Sequence, residues 1–343
     1  MEVTVLQFTW FAIIGVAIAL YAILDGFDLG AGILYMFTTT EEERTTIRNS
    51  IGPIWDGNEV WLIAGGGGML AAFPLAYATL FSSLYFAIML LIWSLILRAV
   101  SFEFRTLIDY KVWKRIWDGA FVLGSFLPAL LLGVAIGNVL NGMSLDISHN
   151  YTGTFFDLLN PFSLIVGLMV LFVFITQGAT YLIARTHEGP FQERLNLFFS
   201  FSWIFYIVLF FLVNISMLLD RTNLVANFNS NTILWIIPIL SLIGIILIKY
   251  LNMQKQYLLS FAASSLTILS LLISIGITIY PNIIPASNSA FSISISDAAS
   301  SEVALGAMAV IAVISLPLIL IYTLWIYKIF IFKKVSSDEM AYH

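Results

Sequence analysis

Long apolar runs follow one another along this chain, each about the length of a helix that crosses a bilayer, with short polar breaks between them. They predict nine spans, at 8–37, 53–73, 77–104, 114–140, 156–183, 191–219, 233–250, 257–280 and 303–332. Runs of roughly twenty residues are too long for tilted barrel strands, so the fold class is an all-α integral membrane protein. The first run lacks the basic start and the small-residue cleavage site of a secretory signal, and predicts a retained helix.

An odd number of spans puts the two termini on opposite sides. Under this assignment Arg44, Arg48, Arg98, Arg105, Lys111, Lys114, Arg115, Arg185, Arg194, Lys249, Lys255, Lys328, Lys333 and Lys334 share one side, and Arg221 stands on the other. The positive-inside rule then predicts an outer N-terminus, a cytoplasmic C-terminus and two outer loops without bases, 141–155 and 281–302. The serine- and asparagine-rich part of the second loop, 281–301, and the polar tail after Lys334 are expected to be mobile.

Composition agrees with the pattern: 60% of the 343 residues are hydrophobic and 10% charged, with a mean hydropathy of +0.97. The net charge of −5 comes without a basic stripe, which argues against nucleic-acid binding. With no cysteine, disulfides, thiolate metal sites and iron–sulfur clusters are excluded. His149 falls in an outer loop, His187 in a cytoplasmic loop and His343 at the C-terminus, so no span offers an imidazole. Met69, Met89 and Met169 read as packing, and the expectation is no haem or metal bound by this chain alone.

Against that background two acidic groups stand out. Asp25 and Asp28 lie within the first span, and Asp56 and Glu59 at the head of the second. A charged side chain in hydrocarbon costs at least about 2.5 kcal/mol, so these acids need a partner or a task. At about 1.5 Å per residue the first pair sits deep in its span and the second shallow in the next, and the opposite directions of the helices bring all four to the cytoplasmic third. Spacing of three puts each pair on one helix face. Grouped carboxylates in low dielectric keep some of their number protonated at neutral pH, the chemistry of a proton relay. The bland reading makes them hydrogen-bonded packing elements, satisfied by Asn58, the indole N–H of Trp55 or Trp61, or Arg98 and Arg105; Glu103 and Asp118, beside bases at the membrane edge, read as salt-bridge formers. The run Gly65-Gly66-Gly67-Gly68 predicts close helix–helix contact. Pro128, Pro161, Pro238 and Pro317 read as kinks or span starts, and Trp117-Asp118-Gly119 echoes Trp55-Asp56-Gly57.

Asp25-Gly26-Phe27-Asp28-Leu29-Gly30, followed by Trp55-Asp56-Gly57-Asn58-Glu59-Val60-Trp61-Leu62 and then by Arg98 to Arg105, resembles subunit II of the cytochrome bd family of quinol oxidases. The resemblance covers about the first 140 residues by motif and helix order. It implies two four-helix bundles plus one peripheral helix, here 1–143, 144–300 and a ninth helix with tail at 301–343. It further implies a bacterial cytoplasmic-membrane enzyme that oxidises quinol and reduces dioxygen to water. The haem-bearing subunit I would hold haem b and haem d and form a pseudo-symmetric heterodimer with this chain. A small single-helix subunit and a structural quinone or lipid are also compatible with the family. Carried over, cytoplasmic proton entry falls to Asp56, with Trp55 and Asn58 as neighbours and Asp25 adjoining, while Asp28 and Glu59 complete the group. Relatives can carry glutamine at the position of Glu59. Two other readings stay open on the residues alone: a proton-coupled secondary transporter, and an assembly subunit whose acids only fix packing.

Overall fold

The computed structural model describes residues 3–219 and 221–330; Lys333, Lys334, the tail after them and His343 lie outside the described residues. α1 (Val5–Leu34) opens on a capping box, in which the Thr4 hydroxyl accepts from the Gln7 N–H and the Gln7 side chain accepts from the Thr4 N–H. The polar α2 (Glu41–Ile51) has three glutamates in its first turn and Arg48 in its last, the order a helix dipole favours. α3 (Trp55–Ala72) stops at Phe73 because Pro74, with no N–H to give, starts α4 (Pro74–Ser83). Leu84, at φ −96° and ψ 20°, breaks the chain again before α5 (Tyr85–Leu107). The predicted third span, 77–104, is therefore the end of α4 followed by α5.

α6 (Lys111–Asn141) carries Pro128 in its interior, whereas Pro161 opens α7 (Pro161–Arg185). α8 (Pro190–Leu219), the short α9 (Ala226–Ser230), α10 (Ile236–Met253) and α11 (Tyr257–Ile279) follow. Strands β1 (Asn282–Ile284) and β2 (Ile293–Ser294) pair antiparallel, and a turn of helix, α12 (Ile295–Ala298), leads to α13 (Glu302–Phe330), with Pro317 inside it. Among the described residues eight helices are long and apolar enough to cross a membrane: α1, α5, α6, α7, α8, α10 with the turn before it, α11 and α13. α3 accounts for the remaining predicted span, 53–73. Its opening residues include Asp56, Asn58 and Glu59 and its middle four glycines, and it is not among those eight.

α1 packs on α3, α6 and α7, α6 lies between α5 and α7, α7 also packs on α8 and α11, and α10 pairs with α11; α13 touches α1 and α3. Glycine makes the close crossing of α1 and α7 possible. A Cβ on Gly30 would stand 1.8 Å from the Phe174 carbonyl oxygen, and one on Gly178 2.4 Å from the Ala31 nitrogen. Both contacts are to backbone, so a side chain at either position has to push the helices apart. Around this crossing Phe27 packs on Tyr181 at 4.3 Å and on Phe261 at 5.5 Å between ring centroids.

Stretch 281–301, expected to be mobile, is folded. Ile284, Ile293, Ile295 and Ala298 bury their side chains, and the segment is tied back by Met143 N–H to the Pro285 carbonyl (2.9 Å) and Ser300 N–H to the Ala72 carbonyl (2.8 Å). Its serines and asparagines serve turns and caps, with Asn288 and Ser294 accepting backbone N–H groups, so their polarity does not signal disorder.

Candidate functional site

The motif on α1 divides its residues by face. Gly26 and Gly30 turn toward Phe174 of α7 and Gly32 toward Ser125 of α6, which leaves Asp25 and Asp28 pointing toward α3 and α5. α5 supplies Arg98, brought in by another close crossing: a Cβ on Gly124 of α6 would lie 2.7 Å from the Arg98 nitrogen. Arg98 grips Asp25 with both terminal nitrogens, one bond at 3.2 Å and a shorter one to the other carboxylate oxygen. The same guanidinium stands 3.2 Å from Glu59 Oε1. The pair is inaccessible, Asp25 at 0% and Arg98 at 2% exposure. The Arg98 guanidinium also lies 5.9 Å from the Trp55 ring, which stacks on Phe102.

Asp28, 1% exposed, has one partner. Asn58 of α3 donates its amide N–H to Asp28 Oδ2 at 2.7 Å and to the Leu24 carbonyl at 3.2 Å, while Asp28 Oδ1 has no hydrogen-bond partner among the described residues. The Asn58 oxygen in turn accepts from the Tyr327 hydroxyl of α13 at 2.7 Å. Two carboxylates, those of Asp25 and Glu59, thus share one guanidinium, and the buried Asp28 leans on the Asn58 amide beside them. Arg105, expected as another partner for these acids, does not reach them.

The helical phase of α3 separates its acids. Asn58, Trp61, Gly65 and Ala72 face inward, while Asp56, Val60, Ile63, Gly67 and Leu70 form an exposed stripe. Asp56 is exposed and makes no hydrogen bond or ion pair among the described residues, and Glu59, with 23% of its side chain accessible, stands between it and Arg98. The structure thus joins Asp25, Asp28, Asn58, Glu59 and Arg98, with Trp55 alongside, and places Asp56 one helical turn away at the surface. The glycine run is only partly a contact: Gly65 and Gly68 approach Ile18 and Ile14 of α1 at ordinary distance, whereas a Cβ on Gly66 or Gly67 would meet nothing within 4 Å.

Glu103, expected to form a salt bridge, is exposed and forms no ion pair among the described residues, because its position on α5 turns it away from α6. Asp118 takes that role in a second cluster. It accepts from Arg105 Nε and from the Tyr35 hydroxyl, both at 2.5 Å, and lies 3.5 Å from Arg44; Arg105 also bonds Glu41 at 2.7 Å. This cluster ties α2 and the end of α1 to α5 and α6. A third contact ties the same region to α8, where Arg194 grips Glu43. Burial pushes the Glu43 carboxyl up, but the Thr39 backbone N–H, the Arg194 guanidinium and the Thr39 hydroxyl outweigh it and hold the carboxyl below its ordinary value.

Tyr327, Tyr35 and Glu41 carry no signal in the sequence that marks them as members of these clusters. A tyrosine near a span end reads as an interfacial aromatic, and Tyr322 and Trp325, both exposed, are of that kind. Among the described residues no group of three or more histidines and acids is placed to hold a metal ion.

Known proteins share this sequence and fold. The family model for cytochrome bd terminal oxidase subunit II matches residues 6–330. The chain is 36% identical to the cytochrome bd-I ubiquinol oxidase subunit 2 of Escherichia coli K12, over 98% of this chain and 97% of that one. It is 30% identical to the cytochrome bd ubiquinol oxidase subunit 2 of Bacillus subtilis, over 96% of this chain and 97% of that one. A chain of the bd oxidase structure from Geobacillus thermodenitrificans superposes with a TM-score of 0.77 at 16% identity, covering 96% of this chain and all of that one, which shows a common fold. The chain belongs to the cytochrome bd terminal oxidase subunit II family: it is a subunit of a bacterial membrane quinol oxidase.

Proposed function

We propose that this chain is the haem-free subunit that conducts protons toward the oxygen-reducing centre of its partner, from the end of the molecule that carries α2. That end, rich in arginine and lysine, is the cytoplasmic one in this reading, with the N-terminus outside. The observation that carries the proposal is the gradation along one short path. Asp56 is open at the surface, Glu59 is partly covered, and Asp25 and Asp28 are sealed. One guanidinium cannot balance two sealed carboxylates and a partly covered third, so the site is most stable when protons share it. Asp25, held by both arms of Arg98, serves as the fixed counter-ion. Glu59 and Asp28 are the members free to load and release a proton, and Asp56 collects it.

A family of haem oxidases implies haem, but the spans of this chain carry no histidine, Met169 is buried in packing and Met89 is exposed with no second ligand beside it among the described residues, so its residues do not fit the group. Haem b, haem d and the quinol site belong in this reading to the larger subunit. The partner is proposed to dock on the exposed stripe of α3 together with α13, the least buried of the spans. Gly66 and Gly67 leave open a strip of backbone there that nothing in this chain approaches, which suits close contact with another helix. Docking on that stripe puts Asp56 at the subunit interface.

The test is oxygen consumption by the assembled oxidase. Asp56→Asn and Glu59→Gln should slow quinol-driven turnover while the optical spectrum shows full haem content, and normal turnover in both would sink the proton-entry role. The bidentate Asp25–Arg98 pair favours a second reading, in which the acids only hold helices together. That reading predicts loss of haem content and complex without a separate loss of turnover. Nothing in the site favours an independent transporter.

A further inference from the structure

α13 is the outermost span, with Leu305 and Ala312 its only fully buried residues among those described, yet one of its side chains reaches the acid cluster. Tyr327 sets its ring edge-on to Phe27, 6.4 Å between centroids, and donates its hydroxyl proton to the Asn58 oxygen at 2.7 Å. Asn58 is itself 1% exposed, and its nitrogen gives both protons away, to Leu24 and Asp28. A side-chain amide has two ends of similar shape and opposite character. If this one turned over, its oxygen would face the Leu24 carbonyl and the Asp28 carboxyl, two acceptors. The Tyr327 hydroxyl, on the far side, makes the only other bond to that amide among the described residues.

We propose that Tyr327 is a positioning residue of the acid cluster: its hydroxyl fixes the Asn58 amide so that the amide N–H stays on Asp28. The peripheral helix therefore takes part in the environment of the most weakly partnered buried acid of the cluster. Tyr322 and Trp325 on the same helix face outward, so the inward tyrosine is not explained by an interfacial belt. The consequence for turnover rests on the proton-entry reading above; the hydrogen-bond relation does not.

The measurement is infrared spectroscopy on the assembled oxidase in mild detergent, with carbon-13-labelled aspartate. The Asp28 signal, carboxyl or carboxylate, is defined as the one that Asp28→Asn removes. In Tyr327→Phe, which keeps the ring and its packing, that signal should shift or split while haem content stays at the wild-type level. Oxygen consumption should fall about fivefold, the effect of one lost hydrogen bond at the site. Tyr322→Phe, one and a half turns away and facing out, should leave both unchanged. An unmoved Asp28 signal in Tyr327→Phe would overturn the proposal. If the signal moves while Asp56→Asn and Glu59→Gln retain full turnover, the positioning role stands and the proton-entry reading fails. If Tyr327→Phe does not assemble, the same spectra on Asn58→Ala decide: an Asp28 signal unmoved there shows that the amide does not govern Asp28, and overturns the proposal equally.

Discussion

Removing the Arg98 side chain charge is the sharpest perturbation of the acid cluster. Arg98→Gln leaves Asp25 at 0% exposure without its two donor bonds and Glu59 without the guanidinium 3.2 Å away. Breaking a buried pair from one side costs about 3–5 kcal/mol, because a charge is left without compensation. Neutralising both partners removes that penalty, so Asp25→Asn combined with Arg98→Gln should recover much of the loss, with a coupling of about 1–3 kcal/mol. The assay is a double-variant cycle on the assembled oxidase in detergent, read as the loss of haem absorbance on heating at one fixed rate. Arg98→Gln should unfold at the lowest temperature of the set and the double variant should lie above it. Equal midpoints for wild type and Arg98→Gln, or strictly additive effects, would refute the charge-balance argument. Additivity would mean that the two side chains do not act on each other.

Three further outcomes follow from other parts of the structure. Gly178→Ala or Gly30→Ala should destabilise the chain by about 1–3 kcal/mol or more, since the added methyl meets backbone across the α1–α7 crossing, and a lowered thermal midpoint checks it. Gly67→Leu should leave the fold of this chain intact, because nothing lies within 4 Å of the added Cβ, but should reduce the amount of haem-bearing partner that copurifies. For the Glu43–Arg194 contact the sign is fixed by the lowered carboxyl: its contribution is present above the ordinary carboxylate range and is lost as pH falls through the lower folded value. The difference in unfolding midpoint between wild type and Arg194→Gln should therefore persist at neutral pH, begin to shrink near the ordinary glutamate value of about 4.3, and vanish only below the lowered folded value.

The spans were legible because hydropathy and length report directly on the bilayer, and the arginines and lysines give an expected orientation for the same reason. The buried acids were legible as anomalies, and Asn58 and Arg98, weighed as partners, are indeed the groups that meet them. The phase of α3 was not. Spacing of three predicts one shared face for Asp56 and Glu59, but which face meets α1 is decided by Asn58 and Trp61 packing inward, and this leaves Asp56 outside. The break at Phe73 was legible as the end of the span at 53–73, whereas the one at Leu84 was hidden because the residues around it are as apolar as the helices it interrupts. Tyr327 could not be placed because its partner lies 269 residues earlier in the chain, and no local pattern records that contact. Glu103 and Asp118 are equally near bases in sequence, and only the packing of α5 on α6 selects the second.

The central claim is that protons for water formation enter through Asp56 and Glu59. It is tested most directly by reconstituting the assembled oxidase in vesicles with the α2-bearing face inward and a pH dye trapped inside. Quinol oxidation should then alkalinise the lumen. In the Asp56→Asn variant, with wild-type haem content, the account predicts that this uptake slows in step with oxygen consumption. Undiminished proton uptake from that face by the variant would contradict it.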